Sequence, residues 1–135
     1  MRELLARLDC SDVIVYVEIT ASSRVLRART KLVAAPPGVR FLRIGINAGL
    51  SGLDLPALLG HELQHAVEIA DREDVRAAAA VRRLYAEGGR RDGSDRFETD
   101  AALDVERRVR LECRERAQTS FRPAGRRLPL RSHAG

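Results

Sequence analysis

The first half of the chain changes from a helical to a strand-like spacing of apolar residues. Residues 2–9 carry leucines at helical spacing, which predicts a short amphipathic N-terminal helix. Residues 13–19 are rich in β-branched side chains, and residues 24–34 and 39–46 alternate apolar with basic or polar positions. Both patterns are typical of strands. We therefore predict a three-stranded twisted sheet, in which the second strand pairs back on the first as a hairpin.

The turns and inward faces of these strands can also be predicted. The Pro-Pro-Gly sequence at 36–38 should end the second strand, because proline lacks the ladder donor and glycine permits a reversal. In the third strand the alternation turns Val39 and Phe41 toward the core, with Ile44 and Ile46 as further candidates.

The second half of the chain repeats its apolar residues with a helical period. Residues 55–70, 73–87 and 95–116 are predicted helices. Asp54 is a candidate N-cap of the first of these. Strands grouped before helices indicate an α+β fold. We predict one domain over residues 1–118 and a disordered tail over residues 119–135, which contain Pro, Gly and Arg without periodicity.

Composition and charge narrow the classes of function. With 135 residues, 44% of them hydrophobic, the chain is long enough for a core that needs no disulfide. The net charge is +5, but the arginines are spread beside acidic residues except in a basic segment at 122–131. A nucleic-acid-binding protein usually gathers its positive charge on one face. No nucleic-acid partner is therefore expected.

The sequence also bears on where the protein resides. No run approaches the ~20 apolar residues of a membrane span, and no basic-then-apolar signal sequence is visible. The expected location is the cytoplasm, although a start site assigned too far downstream would conceal a signal peptide. Cys10 and Cys113 form no CxxC pair, and free thiols and a single disulfide are both compatible with their positions.

The candidate chemistry lies in the predicted helix at 55–70. Residues 58–67 read LLGHELQHAV, with His61 and His65 four positions apart. That spacing places both imidazoles on one face of a helix, where they can bind one cation. Zinc suits such a site because imidazole nitrogen is among its preferred ligands, and Glu62 is placed to take a proton from a water on the metal. Since the flanking positions are uncharged, these polar side chains should be buried and need partners.

With this HExxH motif the sequence resembles the zincin metallopeptidases. The resemblance covers roughly residues 39–110 and implies a twisted sheet followed by the motif helix, with an edge strand at 39–46 that binds an extended substrate. It also implies a zinc cofactor, with Glu62 as the general base that activates a zinc-bound water. The implied reaction is hydrolysis of a bond in a peptide or protein substrate.

The third metal ligand can be sought in two zincin subclasses. In the metzincin pattern a Gly three residues after the second histidine allows a turn before the ligand, but Glu68 stands at the Gly position and Asp71 at the ligand position. Without the Gly the helix should continue and carry Asp71 away from the metal. In the gluzincin pattern a later helix supplies a glutamate, and residues 97–102, FETDAA, resemble that helix. The resemblance implies Glu98 as the ligand.

Other roles near Glu98 are also compatible with the sequence. Glu106 and Asp71 are alternative ligands, and Asp100 is a candidate for a carboxylate that orients a histidine. Glu98 itself could close a capping box with Asp95 as the N-cap.

Two further functions are compatible with the same residues. One is a zinc-binding regulatory domain with little or no peptidase activity, since the chain has no room for the second lobe of larger zincins. The other is a small basic interaction protein, in which the motif is accidental and the Arg-rich tail contacts an acidic partner. Tyr85 is conceivable as a group that stabilises the oxyanion of a peptidase, and that role stays open.

Overall fold

In the part of the chain that the structure describes, a three-stranded sheet has one helix before it and three helices after it. The computed structural model describes residues 1–21, 27–91 and 97–120. Its helices are α1 (Arg2–Asp9), α2 (Asp54–Ala70), α3 (Ala78–Gly88) and α4 (Asp100–Ser120). Its strands are β1 (Val13–Thr20), β2 (Ala28–Ala34), β3 (Arg40–Asn47) and the two-residue strands β4 (Arg90–Arg91) and β5 (Phe97–Glu98). This is the α+β fold predicted from the sequence.

The strand order differs from the prediction. β3 lies in the centre of the sheet, parallel to β1 on one side and antiparallel to β2 on the other. The expected hairpin between the first two strands is therefore wrong, and so is the assignment of residues 39–46 to an edge strand. The physical reason is burial. Alternate residues of β3 from Arg40 to Ile46 are all buried, whereas β1 and β2 are largely half-buried or exposed.

The inner face of β3 was predicted only in part. Ile44 and Ile46 face the core as expected, but their partners on that face are Arg40 and Leu42. Phe41 points to the other side and is half-buried. Apolar residues of β3, α1, α2 and α4 meet in one core, which includes Leu4, Leu8, Leu42, Ile44, Ile46, Leu63, Val67, Ile69, Val105 and Val109.

The motif helix α2 is fixed at both of its faces. On one side it crosses the sheet, and on the other it packs along α4. Gly60 permits the close approach of α4, because a Cβ atom there would lie 3.1 Å from Val109 Cγ2 and 3.2 Å from Val105 Cγ1. The residue before His61 thus lets α4 reach the site.

Several predicted boundaries moved. α3 begins at Ala78, not 73, and in the segment before it the carbonyls of Arg72 and Val75 accept hydrogen bonds from the Arg40 side chain. α4 continues to Ser120, so residues 119 and 120 of the predicted tail are helical. The rest of that tail, 121–135, and the start of the predicted second strand lie outside the described residues.

Two smaller features complete the fold. Cys10 and Cys113 are both free thiols. In the part of the chain that the structure describes, no helix combines the length and apolar character needed to cross a membrane.

Candidate metal centre

Two histidines of α2 face each other inside the protein. His61 and His65 are 5% and 6% exposed, and their Nε2 atoms lie 3.1 Å apart. The separation of four residues places the rings one helical turn apart, and their planes are nearly perpendicular, at 74°. The sequence prediction that both imidazoles share one buried face of the helix is confirmed.

Glu98 joins the two histidines from a different part of the chain. Its Oε2 atom is 3.2 Å from His61 Nε2, and the ligand atoms of His61, His65 and Glu98 all lie within 4.8 Å of one another. The three residues therefore form a group that could hold a metal ion. The structure brings together the set predicted from the sequence.

The element that carries Glu98 is not the predicted one. Glu98 lies in β5, paired with Arg90 of β4, and α4 begins only at Asp100. Thr99 caps α4, since its Oγ1 accepts a hydrogen bond from the amide of Ala102 at 3.1 Å. Glu98 thus precedes the capping residue and is not the Glu of a capping box. Asp95, the N-cap expected for that box, lies outside the described residues.

The alternative ligands occupy other positions. α2 continues past Glu68 to Ala70, as the missing Gly predicted, and Asp71 forms an exposed ion pair with Arg7. Glu106 does reach the site, but from α4 and on the far side of His61. Its Oε2 atom accepts a hydrogen bond from His61 Nδ1 at 3.2 Å. Glu106 therefore orients a histidine.

A second carboxylate does the same for the other ring. His65 Nδ1 donates to Glu68 Oε2 at 2.9 Å. A proton fixed on Nδ1 leaves the Nε2 lone pair for a cation, so Glu68 and Glu106 together aim both Nε2 atoms at one point. Asp100, the candidate for this role in the sequence, is exposed. The overlooked signal was the position of Glu68 three residues after His65, on the same helix face.

Neighbouring groups shift the pKa values of His61 and Glu68 at this site. Burial lowers the pKa of His61. The hydrogen bond and charge of Glu98 and the charges of Glu62 and Glu106 raise it by more, so the pKa lies above its ordinary value. Burial raises the pKa of Glu68, but hydrogen bonds from His65 and Thr99 outweigh it, and the pKa lies below its ordinary value. The carboxylates therefore favour a cation at the imidazoles.

Glu62 lies beside this group with one oxygen held. Its side chain is 6% exposed, and Thr30 of β2 donates its hydroxyl to Glu62 Oε2 at 2.7 Å. Thr30 was not singled out in the sequence, because only the pairing of β2 with β3 turns it toward α2. β2 is consequently the sheet strand that borders Glu62.

Tyr85 of α3 supports the second histidine. Its hydroxyl donates to the backbone carbonyl of His65 at 3.3 Å, and its ring meets the His65 ring edge to face at a centroid distance of 5.2 Å. Burial, followed by the charges of Glu68 and Glu62, raises the pKa of the phenol. These contacts place Tyr85 at the site, while its suggested part in stabilising an oxyanion stays a prediction.

Comparison of the chain with known protein families, with characterised proteins and with solved structures found no match.

Proposed function

We propose that the protein is a zinc-dependent peptidase. The observation that carries this proposal is the convergence of His61 Nε2, His65 Nε2 and Glu98 Oε2 beside the buried carboxylate of Glu62. The HExxH resemblance seen in the sequence supports the same reading. The activity, the identity of the metal and the substrate class are all parts of the proposal.

Two of the three donor pairs have separations close to those of a zinc site. Ligand atoms about 2.0–2.1 Å from a tetrahedral ion are about 3.3–3.4 Å apart. The pairs His61 Nε2–His65 Nε2 and His61 Nε2–Glu98 Oε2, at 3.1 and 3.2 Å, are within a few tenths of that separation. Two imidazoles and one carboxylate are also the ligands of catalytic zinc in peptidases that keep a fourth position open.

The residues divide the chemistry between them. Zinc at such a site would lower the pKa of a water molecule and polarise a scissile carbonyl. The Glu62 carboxylate accepts the proton of the attacking water and returns it to the leaving amine. Thr30 holds Glu62 Oε2, which fixes the direction of this carboxylate. Glu68 and Glu106 keep the histidine rings in the tautomer that offers Nε2.

We place the substrate on a different strand from the one expected from the sequence. β3 has neighbours on both sides, so it cannot accept an extended peptide. β2 is at an edge of the sheet and carries Thr30 next to Glu62. We place an extended peptide along β2, where main-chain pairing would bring its scissile bond toward Glu62.

One observation favours the alternative of a zinc-binding domain with little peptidase activity. His61, Glu62 and His65 are each no more than 6% exposed, so a substrate has only a narrow approach. The second alternative, a basic interaction protein with an accidental motif, gives no reason for three ligand atoms to converge from α2 and β5.

Zinc content is the first test. We expect about one zinc per chain in the wild-type protein after loosely bound metal is removed, and little in His65→Ala or Glu98→Ala. Elemental analysis measures this, with Glu112→Ala on the exposed side of α4 as the matched control. A wild-type protein without zinc after metal-replete purification would remove the basis of the proposal.

Peptide hydrolysis is the second test. Glu62→Gln keeps the shape of the side chain but not the base, so kcat/KM for a cleaved peptide should fall by about 10²-fold or more. The variant should retain its zinc. A wild-type protein that holds zinc but cleaves nothing in a diverse peptide pool would support the regulatory alternative.

A further inference from the structure

Thr99 links the third ligand to the motif helix. Its hydroxyl donates to Glu68 Oε1 at 2.6 Å and accepts the amide of Ala102 at 3.1 Å. The other oxygen of the Glu68 carboxylate accepts from His65 Nδ1 at 2.9 Å. One carboxylate of α2 therefore contacts both a histidine ligand and the residue that follows Glu98.

This link supplies a restraint that β5 alone does not. β5 is only two residues long and pairs with an equally short strand. Ladder hydrogen bonds over two residues set the direction of Glu98 but not its distance from α2. The short bond from Thr99 to Glu68 sets that distance, because Glu68 lies one turn beyond His65 on α2. The same hydroxyl also begins α4, which carries Glu106 to His61.

We propose that Thr99 is a positioning residue that, through Glu68, holds Glu98 at coordinating distance from the two histidines. The inference rests on the proposed metal site and deepens it by identifying what preassembles the third ligand. Groups that orient metal ligands typically change metal affinity by 10–100-fold when they are removed. Thr99 should act in this range, and its effect should depend on Glu98.

The test is a double-mutant cycle on zinc affinity. The dissociation constant for zinc is measured by competition with a chromophoric chelator for wild type, Thr99→Val, Glu98→Ala and the double variant. We expect Thr99→Val to weaken binding about tenfold in the wild-type background and less than about twofold in the Glu98→Ala background. Thr99→Ser, which keeps the hydroxyl, should have a zinc affinity within about threefold of wild type.

Controls separate positioning from loss of helix stability. Thr99→Val also removes a cap of α4, so thermal unfolding of the zinc-free proteins is measured in both backgrounds, where the cap loss should be equal. Thr119→Val removes a hydroxyl that donates to the carbonyl of Arg116 at the other end of α4, and it should leave zinc affinity unchanged. Visible spectra of the cobalt-substituted proteins should show an altered ligand field for Thr99→Val but not for Thr119→Val.

The outcomes separate this inference from the proposed function. If the wild type binds zinc and Thr99→Val lowers zinc affinity equally in both backgrounds, Thr99 acts only on stability. That result would overturn the inference, while the metal site would stand. A Thr99→Val variant with the zinc affinity of the wild type would also overturn the inference and leave the metal site standing. A wild-type protein that binds no zinc would overturn both the inference and the metal site.

Discussion

Two groups of buried polar side chains lie along α2, and they differ in how their charges are balanced. Near the end of the helix is the Arg40 cluster, which consists of Arg40, the Asp12 carboxylate and the carbonyls of Ile69, Ala70, Arg72 and Val75. Arg40 is completely buried, and its guanidinium donates to Asp12 and to all four carbonyls. Arg40 holds the pKa of the Asp12 carboxyl below its ordinary value. This cation is matched by protein groups alone.

The second group is the histidine cluster, which consists of His61, His65 and the carboxylates of Glu62, Glu68, Glu98 and Glu106. Here the two Nε2 atoms and the Glu98 oxygen lie close together, and all three can bind a cation. Among the described residues, Arg110 neutralises Glu106 from outside at 2.9 Å. The Arg40 cluster balances its charge with protein groups, whereas the histidine cluster brings together ligand atoms that could hold a metal ion.

The largest effect on stability is expected from a variant that breaks the Arg40 cluster. Arg40→Met keeps much of the side-chain volume but removes the buried side-chain donor of four carbonyls and one of the two arginines that pair with Asp12, the other being Arg76. We expect the unfolding free energy of the zinc-free protein to fall by about 3–5 kcal/mol, as measured by urea denaturation. Arg72→Met is the matched control, because the Arg72–Asp74 pair is exposed and its loss should cost less than about 1 kcal/mol. Equal losses in both variants would contradict a structural role for the Arg40 cluster.

The two clusters also differ in how far the sequence revealed them. The histidine cluster was found because its centre is local, with two candidate ligands and a candidate base within five consecutive residues whose helical geometry is fixed by spacing alone. Arg40 was read as one polar position of an alternating strand. Its partners lie 28 to 35 residues away, and only the central position of β3 buries it. No local pattern reports strand order.

The same limit explains the partial result at Glu98. Resemblance of residues 97–102 to a ligand helix pointed to Glu98, which the structure places beside the histidines, but helical periodicity could not show that the helix begins after Thr99. In the sequence Glu106 was an alternative ligand, and Glu68 was only the residue that stands at the Gly position of the metzincin pattern. The contact of Glu106 with His61 required the packing of α2 on α4, which depends on the small surface at Gly60. Arrangements within one helix were predictable from spacing, and contacts between helices were not.

A smaller effect should come from filling the histidine cluster. A ligand that binds only the folded protein stabilises it by about 2.7 kcal/mol at one hundred times its dissociation constant. We expect that increase for wild type in zinc-buffered solution and none for His65→Ala, measured by urea denaturation with and without the metal. Arg72→Met should respond to zinc like wild type. An equal gain in His65→Ala would mean that zinc binds elsewhere.

The smallest expected effect is the dependence of zinc binding on pH, and it tests the sign of the charge imbalance. Burial lowers the pKa of His61, but Glu98, Glu62 and Glu106 raise it above its ordinary value, and His65 faces the same ring from its own helix. In the zinc-free protein this raised pKa stabilises the fold below the unfolded-state value, and the contribution is lost as pH rises through the folded pKa. Zinc must displace the proton, so its affinity changes in the opposite direction.

Zinc affinity should therefore fall as pH is lowered through the raised pKa of His61, by about tenfold per pH unit for each proton displaced, or about 1.4 kcal/mol. Titration calorimetry in two buffers of different ionisation enthalpy counts the protons released, which should be more numerous at pH 6 than at pH 8.5. His133→Ala, which removes the third histidine of the sequence, should give the wild-type count. Equal release at both pH values would mean that zinc does not compete with a proton on His61, and the contrast with the self-sufficient Arg40 cluster would then fail.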